Sequence, residues 1–112
     1  MNVTLRQIAY FTAVAEAGSV SGGAAAVGIS QSAITDALKA LEEQTGARLF
    51  ERHARGVILT YPGHQFLRHA RTILAAVADA QNALKTLPEA VQGTLPLGVT
   101  TMVSGYFLAD LL

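Results

Sequence analysis

Between residues 20 and 37 the chain reads VSGGAAAVGISQSAITDA. Ala24 is a small residue at the point where two short helices would cross, and Gly28, four residues later, can adopt the positive φ of a tight turn. Ile29 and Ile34 are placed to fill the space between the two helices. This spacing predicts a helix-turn-helix motif. An ordinary helical hairpin without a binding role has the same local pattern and is the alternative.

Three helices are predicted in the first 46 residues, because apolar residues recur there at steps of three and four. Each helix lies between a hydroxyl residue that can cap its N-terminus and a glycine that can end it. These pairs are Thr4 and Gly18, Ser19 and Gly28, and Ser30 and Gly46. Gly22 and Gly23 weaken the second helix, which must therefore be held by tertiary packing.

The pattern changes after residue 46. Residues 49–52 and 56–60 are short β-compatible runs around the polar turn 53–56, so we predict a small two-stranded hairpin. Thr60 is then placed to cap a long helix that ends at about Leu87. The predicted fold class is mainly α: a winged helix-turn-helix of three helices and a two-stranded β wing, followed by a long, coiled-coil-like dimerisation helix.

The long helix carries an apolar residue at alternating steps of four and three, which is a heptad pattern. The positions are Phe66, Ala70, Ile73, Val77, Ala80, Leu84 and Leu87. A sustained heptad is typical of a helix that pairs with a second copy, so these residues are the predicted dimerisation site. The alternative is that the stripe belongs to the core of a single chain.

The third helix combines an inward apolar side, formed by Ile34, Leu38 and Leu41, with a polar face that extends over nearly three turns. The polar face comprises Gln31, Ser32, Thr35, Asp36 and Lys39. Such side chains can read base edges in the DNA major groove: glutamine pairs with adenine, aspartate accepts from cytosine, and lysine reaches guanine or phosphate. We therefore predict a DNA-binding face, with a merely solvated surface as the alternative.

The formal net charge is +0, from eight Lys and Arg against eight Asp and Glu, but the charges are unevenly distributed. Residues 48–71 contain five arginines and a single acidic residue, Glu51. Arg52, His53 and Arg55 lie at the predicted hairpin tip, where cations suit a phosphate or a narrow groove. These three residues complete the predicted DNA-binding site, although a solvated surface would look the same.

Several classes of function have no support in the sequence. The chain has no cysteine, which excludes disulfides, thiol catalysis and cysteine-based zinc fingers. His64 and His69 are five residues apart and do not form a metal-binding helical pair. No phosphate loop or nucleophile elbow is present, and Glu42 and Glu43 resemble a charged helix surface. We therefore predict no enzyme, no catalytic or metal-binding residue and no cofactor in this chain.

The apolar runs are too short to span a bilayer, and the N-terminus lacks the layout of a signal peptide. The expected compartment is the cytoplasm, with no membrane partner. Residues 93–112 resemble a linker, a strand and the opening of a helix, which together cannot form a core. They are expected to be the truncated start of a further domain.

Several runs of this sequence closely resemble the DNA-binding domain of LysR-type bacterial transcriptional regulators. They are LRQIAYF (5–11), AVAEAGSV (13–20), ISQSAIT (29–35), LE (41–42) and LFER (49–52), and the resemblance extends from residue 3 to residue 98. It implies a recognition helix at 31–45, a wing at 49–60 and a dimerisation helix at about 62–87. It also implies a bacterial, nucleoid-associated regulator that assembles as a dimer or tetramer on double-stranded DNA and senses an inducer through a larger domain.

The chain departs from the family pattern at a few positions. Ser32 stands where the family usually has proline, Asp36 replaces an arginine or other polar residue, and Gly22 and Ala26 replace residues that commonly reach phosphates. We therefore expect weaker DNA binding that depends more steeply on the second subunit.

The predicted layout is a DNA-binding domain at 1–60, a linker and dimerisation helix at 61–88, and a hinge with the start of the inducer-binding domain at 89–112. The predicted function is sequence-specific binding of promoter or operator DNA by a homodimer. The alternative is a dimerising protein-interaction module with little DNA affinity, which the neutral net charge and Asp36 favour.

Overall fold

The structure is a computed structural model that describes residues 2–87. The predicted hinge and start of the regulatory domain, at 89–112, lie outside this range. The described part contains four helices and one two-stranded antiparallel sheet, in the order predicted. The elements are α1 (Leu5–Ala17), α2 (Val20–Val27), α3 (Gln31–Thr45), β1 (Phe50–His53), β2 (Gly56–Leu59) and α4 (Tyr61–Lys85). The predicted fold class, a mainly helical winged helix-turn-helix, is confirmed.

The three predicted N-caps are present. Thr4 forms a capping box with Gln7: its side chain accepts from the Gln7 amide at 3.1 Å, and its own amide donates to the Gln7 side chain at 2.9 Å. Ser19 and Ser30 accept from the amides of Gly22 and Ala33 at 3.0 and 3.1 Å. Each of the three helices ends at its predicted glycine. Local capping thus fixes the limits of α1, α2 and α3.

The core is built around α1. The Phe11 side chain has no exposed surface, and its ring centroid lies 5.1 Å from that of Phe50 in β1 and 5.0 Å from that of Phe66 in α4. Ile34 and Leu41 of α3 are also fully buried. One aromatic side chain therefore connects the hairpin and the start of α4 to the helical core.

Helices α1 and α2 lie in close contact at Gly23. A Cβ built on Gly23 would lie 2.8 Å from the Cα of Val14, so no larger residue fits without displacing α1. The sequence pattern places the close crossing at Ala24, which is indeed 3% exposed, and indicates Gly23 only as a weak point of the helix. The missing side chain of Gly23, which lowers its helix propensity, is what permits the tight packing of the two helices.

The hairpin is shifted slightly from its prediction: β1 begins and ends one residue later than predicted, and β2 ends at Leu59 instead of Thr60. The sequence predicts His53 in the turn, but it is the last residue of β1 and pairs with Gly56, so Ala54 and Arg55 form a two-residue loop. The hairpin is attached to the helices at Val57, whose amide donates to the Gly18 carbonyl at 3.1 Å. A tight two-residue loop places the residues at the hairpin tip close together.

The first compact unit includes the beginning of α4 and extends to Ala76, while the rest of α4, from Val77 to Lys85, belongs to a second unit. Leu67 and Ala70 are buried in the core of the first unit, with exposures of 8% and 0%. Ala70 is therefore covered by residues of its own chain, unlike a heptad position that only a second copy would cover. Phe66 is half-buried and packs against Phe11, so it also contributes to the core of its own chain.

The later heptad positions differ from Phe66 and Ala70. In the first unit Ile73 is 37% exposed. In the second unit Leu84 is 57% exposed, Ala80 is exposed, and Val77 and Leu87 are half-buried. Helix α4 ends at Lys85, two residues before the predicted end. The apolar stripe thus begins inside a core and continues as partly exposed surface.

Candidate nucleic-acid interface

Helix α3 buries one side and exposes the other. Ile34, Leu38 and Leu41 are buried, whereas the predicted DNA-binding residues lie on the outward side. Gln31, Ser32, Asp36 and Lys39 are exposed and Thr35 is half-buried. With 15 residues, α3 is about 22 Å long at 1.5 Å per residue, and its diameter of about 10–12 Å matches the width of a DNA major groove.

The first turn of α3 forms without the proline typical of the family. Ser30 caps the helix through the Ala33 amide, and its Oγ lies 3.3 Å from the Oγ of Ser32. The cap thus supplies the local order that a proline would otherwise provide. The positive end of the helix dipole, at Gln31 and Ser32, remains next to exposed surface.

Asp36 is an exposed carboxylate on this outward face. Within residues 2–87, the structure shows no ion pair or side-chain hydrogen bond for Asp36, and the ion pair present joins Arg71 to Glu16 instead. The carboxylate is therefore available as a hydrogen-bond acceptor, and it also places a negative charge where a phosphate backbone would approach.

An open groove of about 520 Å³ separates α3 from the hairpin. Thr35 and Lys39 line it from α3, whereas Arg48 and Arg52 line it from the hairpin side. The groove thus brings two of the five predicted α3 residues, Thr35 and Lys39, next to the predicted hairpin cation Arg52. Arg48, which the sequence pattern does not place in the site, is a further cation in this groove.

His53 and Arg55, the other two predicted cationic residues, lie at the hairpin tip. Both are exposed, as is Arg52. The Arg55 amide donates to Nδ1 of His53 at 3.4 Å across the turn. The tip thus presents His53 and Arg55 at one end of the hairpin, while Arg52 belongs to the groove.

Glu42 is the residue whose position sequence reasoning missed. Both Glu42 and Glu43 are predicted as charged helix surface, and this is correct for Glu43, which is exposed. Glu42 is half-buried, and its Oε2 accepts from the amides of Leu49 and Phe50 at 2.7 and 3.3 Å. These bonds link α3 to the start of the hairpin, seven and eight residues further along the chain. Helical periodicity predicts contacts within α3 only, so it could not predict these bonds.

The start of the hairpin is also held from α4. The Thr60 amide donates to the Leu49 carbonyl at 3.0 Å, and the Thr60 hydroxyl donates to the Arg48 carbonyl. The same hydroxyl oxygen accepts from the Gly63 amide at 3.0 Å, which confirms Thr60 as the N-cap of α4. Thr60 therefore caps α4 and also holds the two residues that precede β1.

Residues 2–87 contain neither a metal-binding cluster nor a membrane span. No group of His, Asp or Glu side chains in this range is arranged to hold a metal ion. In the same residues, no helix is long and apolar enough to cross a membrane.

A helix-turn-helix flanked by a two-stranded β wing defines the winged helix-turn-helix class of DNA-binding proteins. Within that class, the chain belongs to the LysR family. The family model for the bacterial regulatory helix-turn-helix protein, lysR family, matches residues 5–64.

Similar proteins are longer bacterial regulators. The HTH-type transcriptional regulator YnfL of Escherichia coli (strain K12) is 43% identical over 101 residues, which cover 90% of this chain and 34% of YnfL. A probable hydrogen peroxide-inducible genes activator of Mycobacterium xenopi is 39% identical over 109 residues, covering 97% of this chain and 58% of that protein. The chain thus spans about a third to three-fifths of these relatives.

Solved structures of DNA complexes share the fold. The CbnR DNA-binding domain in complex with DNA is 41% identical, has a TM-score of 0.70 and aligns with 74% of this chain and 95% of its own. The BenM DNA-binding domain in complex with catB site 1 DNA is 34% identical, has a TM-score of 0.71 and aligns with 74% of this chain and 92% of its own.

Proposed function

We propose that this chain is the DNA-binding part of a bacterial transcription regulator, which binds promoter or operator DNA as a homodimer. The observation that carries the proposal is the exposed polar face of α3 beside a groove with cations on the hairpin side. Support also comes from CbnR and BenM, whose DNA-binding domains have this fold and were crystallised with DNA. In this proposal α3 enters the major groove, and the wing lies at the backbone or minor groove.

The proposed roles follow from the chemistry of the exposed side chains. Gln31, Ser32, Thr35, Asp36 and Lys39 face the base edges. Arg52, His53 and Arg55 bind the phosphate backbone or the minor groove, where cations add affinity with little base discrimination. The site thus combines sequence reading by α3 with electrostatic attraction by the hairpin.

Dimerisation is proposed for the later heptad positions of α4. Ile73 and Leu84 are 37% and 57% exposed, which suits residues that a second copy covers. Val77, Ala80 and Leu87 continue the same spacing. Once one subunit binds its half-site on the DNA, the second subunit binds the other half-site at a raised effective concentration. This holds for a dimer and for a tetramer.

The remaining parts of the proposal concern the whole protein. We propose that this chain has no catalytic role and binds no cofactor, and that a small-molecule inducer binds a regulatory domain. The relatives named above are transcriptional regulators or activators, which supports this division. Such a protein acts on the nucleoid in the bacterial cytoplasm.

A mobility shift with DNA from upstream of the protein's own gene tests the proposal. Wild type is expected to bind. Thr35→Ala and Arg52→Ala are each expected to weaken binding by about tenfold, which corresponds to a loss of about 1.4 kcal/mol of binding free energy. Because both residues line the groove beside α3, the two variants examine its two sides. Absence of binding by the wild type would favour the interaction module, to which the exposed Asp36 carboxylate already lends some support.

A further inference from the structure

Glu42 connects the two parts of the proposed DNA-binding site. It belongs to α3, and its Oε2 accepts from the amides of Leu49 and Phe50 at 2.7 and 3.3 Å. Arg48 immediately precedes these two residues, and Arg52 follows them by two. The carboxylate thus holds the segment that carries both groove cations on the hairpin side.

The chemistry of this contact favours a fixed geometry. An ionised carboxylate only accepts hydrogen bonds, and two backbone N–H groups satisfy one of its oxygens. Charge-assisted hydrogen bonds are shorter and stronger than neutral ones, in agreement with the 2.7 Å bond to Leu49. Because Glu42 is half-buried, water competes for these bonds less than it would at the exposed Glu43.

The other connections of the hairpin come from different elements. Thr60 bonds to the carbonyls of Leu49 and Arg48 from the start of α4, and Val57 bonds to Gly18 in the turn before α2. Of these bonds at the base of the hairpin, only those of Glu42 originate in α3. Glu42 is therefore the α3 residue that hydrogen-bonds to the base of the hairpin, in addition to the core packing that joins the two.

We propose that Glu42 is a positioning residue that sets the distance between α3 and the arginines Arg48 and Arg52, so that α3 and the wing contact the same DNA together. This inference rests on the proposed function. In this proposal Glu42 contributes through its own chain, because its Oε2 accepts from the amides of Leu49 and Phe50.

Electrostatics and positioning predict opposite changes in DNA affinity for Glu42→Gln. Removing a negative charge near DNA reduces repulsion of the phosphates, so electrostatics alone predicts that Glu42→Gln binds DNA more tightly. Positioning predicts weaker binding, because the neutral amide accepts less strongly from the Leu49 and Phe50 amides. Glu43→Gln is the matched control: Glu43 is the exposed neighbour on α3 and loses the same charge.

The experiment measures affinity for DNA from upstream of the protein's own gene. We expect Glu43→Gln to equal or exceed wild type and Glu42→Gln to bind about tenfold more weakly, which corresponds to about 1.4 kcal/mol of binding free energy. Glu42→Asp keeps the charge but shortens the side chain, and it is expected to weaken binding as well. Glu42→Gln binding as tightly as wild type, or Glu42→Asp doing so, overturns the inference.

A double Arg48→Ala, Arg52→Ala background separates positioning from a general loss of structure. If Glu42 acts through these two arginines, Glu42→Gln has little further effect once both are removed. In the chain that keeps both arginines, the logarithmic salt slope of Glu42→Gln is shallower by about one for each phosphate that an arginine no longer reaches. A full tenfold effect of Glu42→Gln in the double background overturns the inference. Wild type that binds no DNA overturns the proposed function itself, which is a distinct result.

Discussion

Helix α3 and helix α4 each carry an apolar stripe that is evident from the sequence, yet the structure covers the two stripes differently. Every predicted inward residue of α3 is buried: Ile34, Leu38 and Leu41. In α4 the stripe includes the fully buried Ala70 near its start, whereas Leu84 is 57% exposed. Periodicity thus identifies which residues share a face of a helix. It does not identify what covers that face, because the covering residues come from distant parts of the chain.

The largest expected effect contrasts two alanines at heptad positions of α4. Ala70→Asp places an unpaired charge in the core and should destabilise the fold by about 3–5 kcal/mol. Ala80→Asp adds the same charge at an exposed position and should leave the fold intact. Thermal unfolding followed by circular dichroism measures both. Equal unfolding temperatures for the two variants would show that Ala70 is not a core residue.

The second prediction concerns the exposed part of the α4 stripe. Replacing both Ile73 and Val77 with Asp should give monomers in sedimentation, because two charges cannot be buried against a second copy. DNA affinity should fall by about a hundredfold, in the range that avidity supplies. Dimers that persist in this variant would mean that the stripe is covered within its own chain.

The third prediction concerns base preference at Asp36. An aspartate accepts from the cytosine amino group, whereas an asparagine pairs with adenine, and such contacts discriminate by about 1–3 kcal/mol. Asp36→Asn should therefore shift the preferred base at one operator position from cytosine to adenine, as measured by selection from randomised duplexes. Glu43→Gln is the control for the removed charge. The same selected sequence for Asp36→Asn and wild type would remove Asp36 from the reading face.

The smallest expected effect concerns the salt dependence of binding. Gly22 and Ala26 offer no cation for phosphates. The logarithmic salt slope should therefore be smaller than in a relative with basic residues at these positions, by about one for each phosphate that such a residue neutralises. A titration of promoter-fragment binding against salt measures this slope. A steep slope, typical of a protein that neutralises many phosphates, would contradict the expectation of weak backbone binding.

The local features of the fold are predictable from the sequence, because the interactions that set them lie within a few residues. Thr4, Ser19 and Ser30 cap their helices through amides three residues further on. A glycine at position 28 ends α2 with a φ of 76°, as the tight turn requires. The resemblance to the LysR family then places these elements in the order that the structure shows.

The interactions between elements are not predictable in the same way. Helix propensity describes Gly23 as a weak point, although its close contact with Val14 is a tertiary feature. Glu42 is indistinguishable from Glu43 until the hairpin start is placed beside it. Ala70 fits a heptad equally well in a core or at a dimer interface. In each case the deciding neighbour lies outside the local pattern.

The outward face of α3 and the adjacent hairpin are proposed to bind DNA together, and an NMR titration of the protein with a duplex from its own promoter tests this residue by residue. We expect the largest amide shifts at residues 31–39 and 52–55, with little change along the exposed stripe of α4. Shifts confined to α4, with residues 31–39 unchanged at saturating DNA, would contradict the proposal.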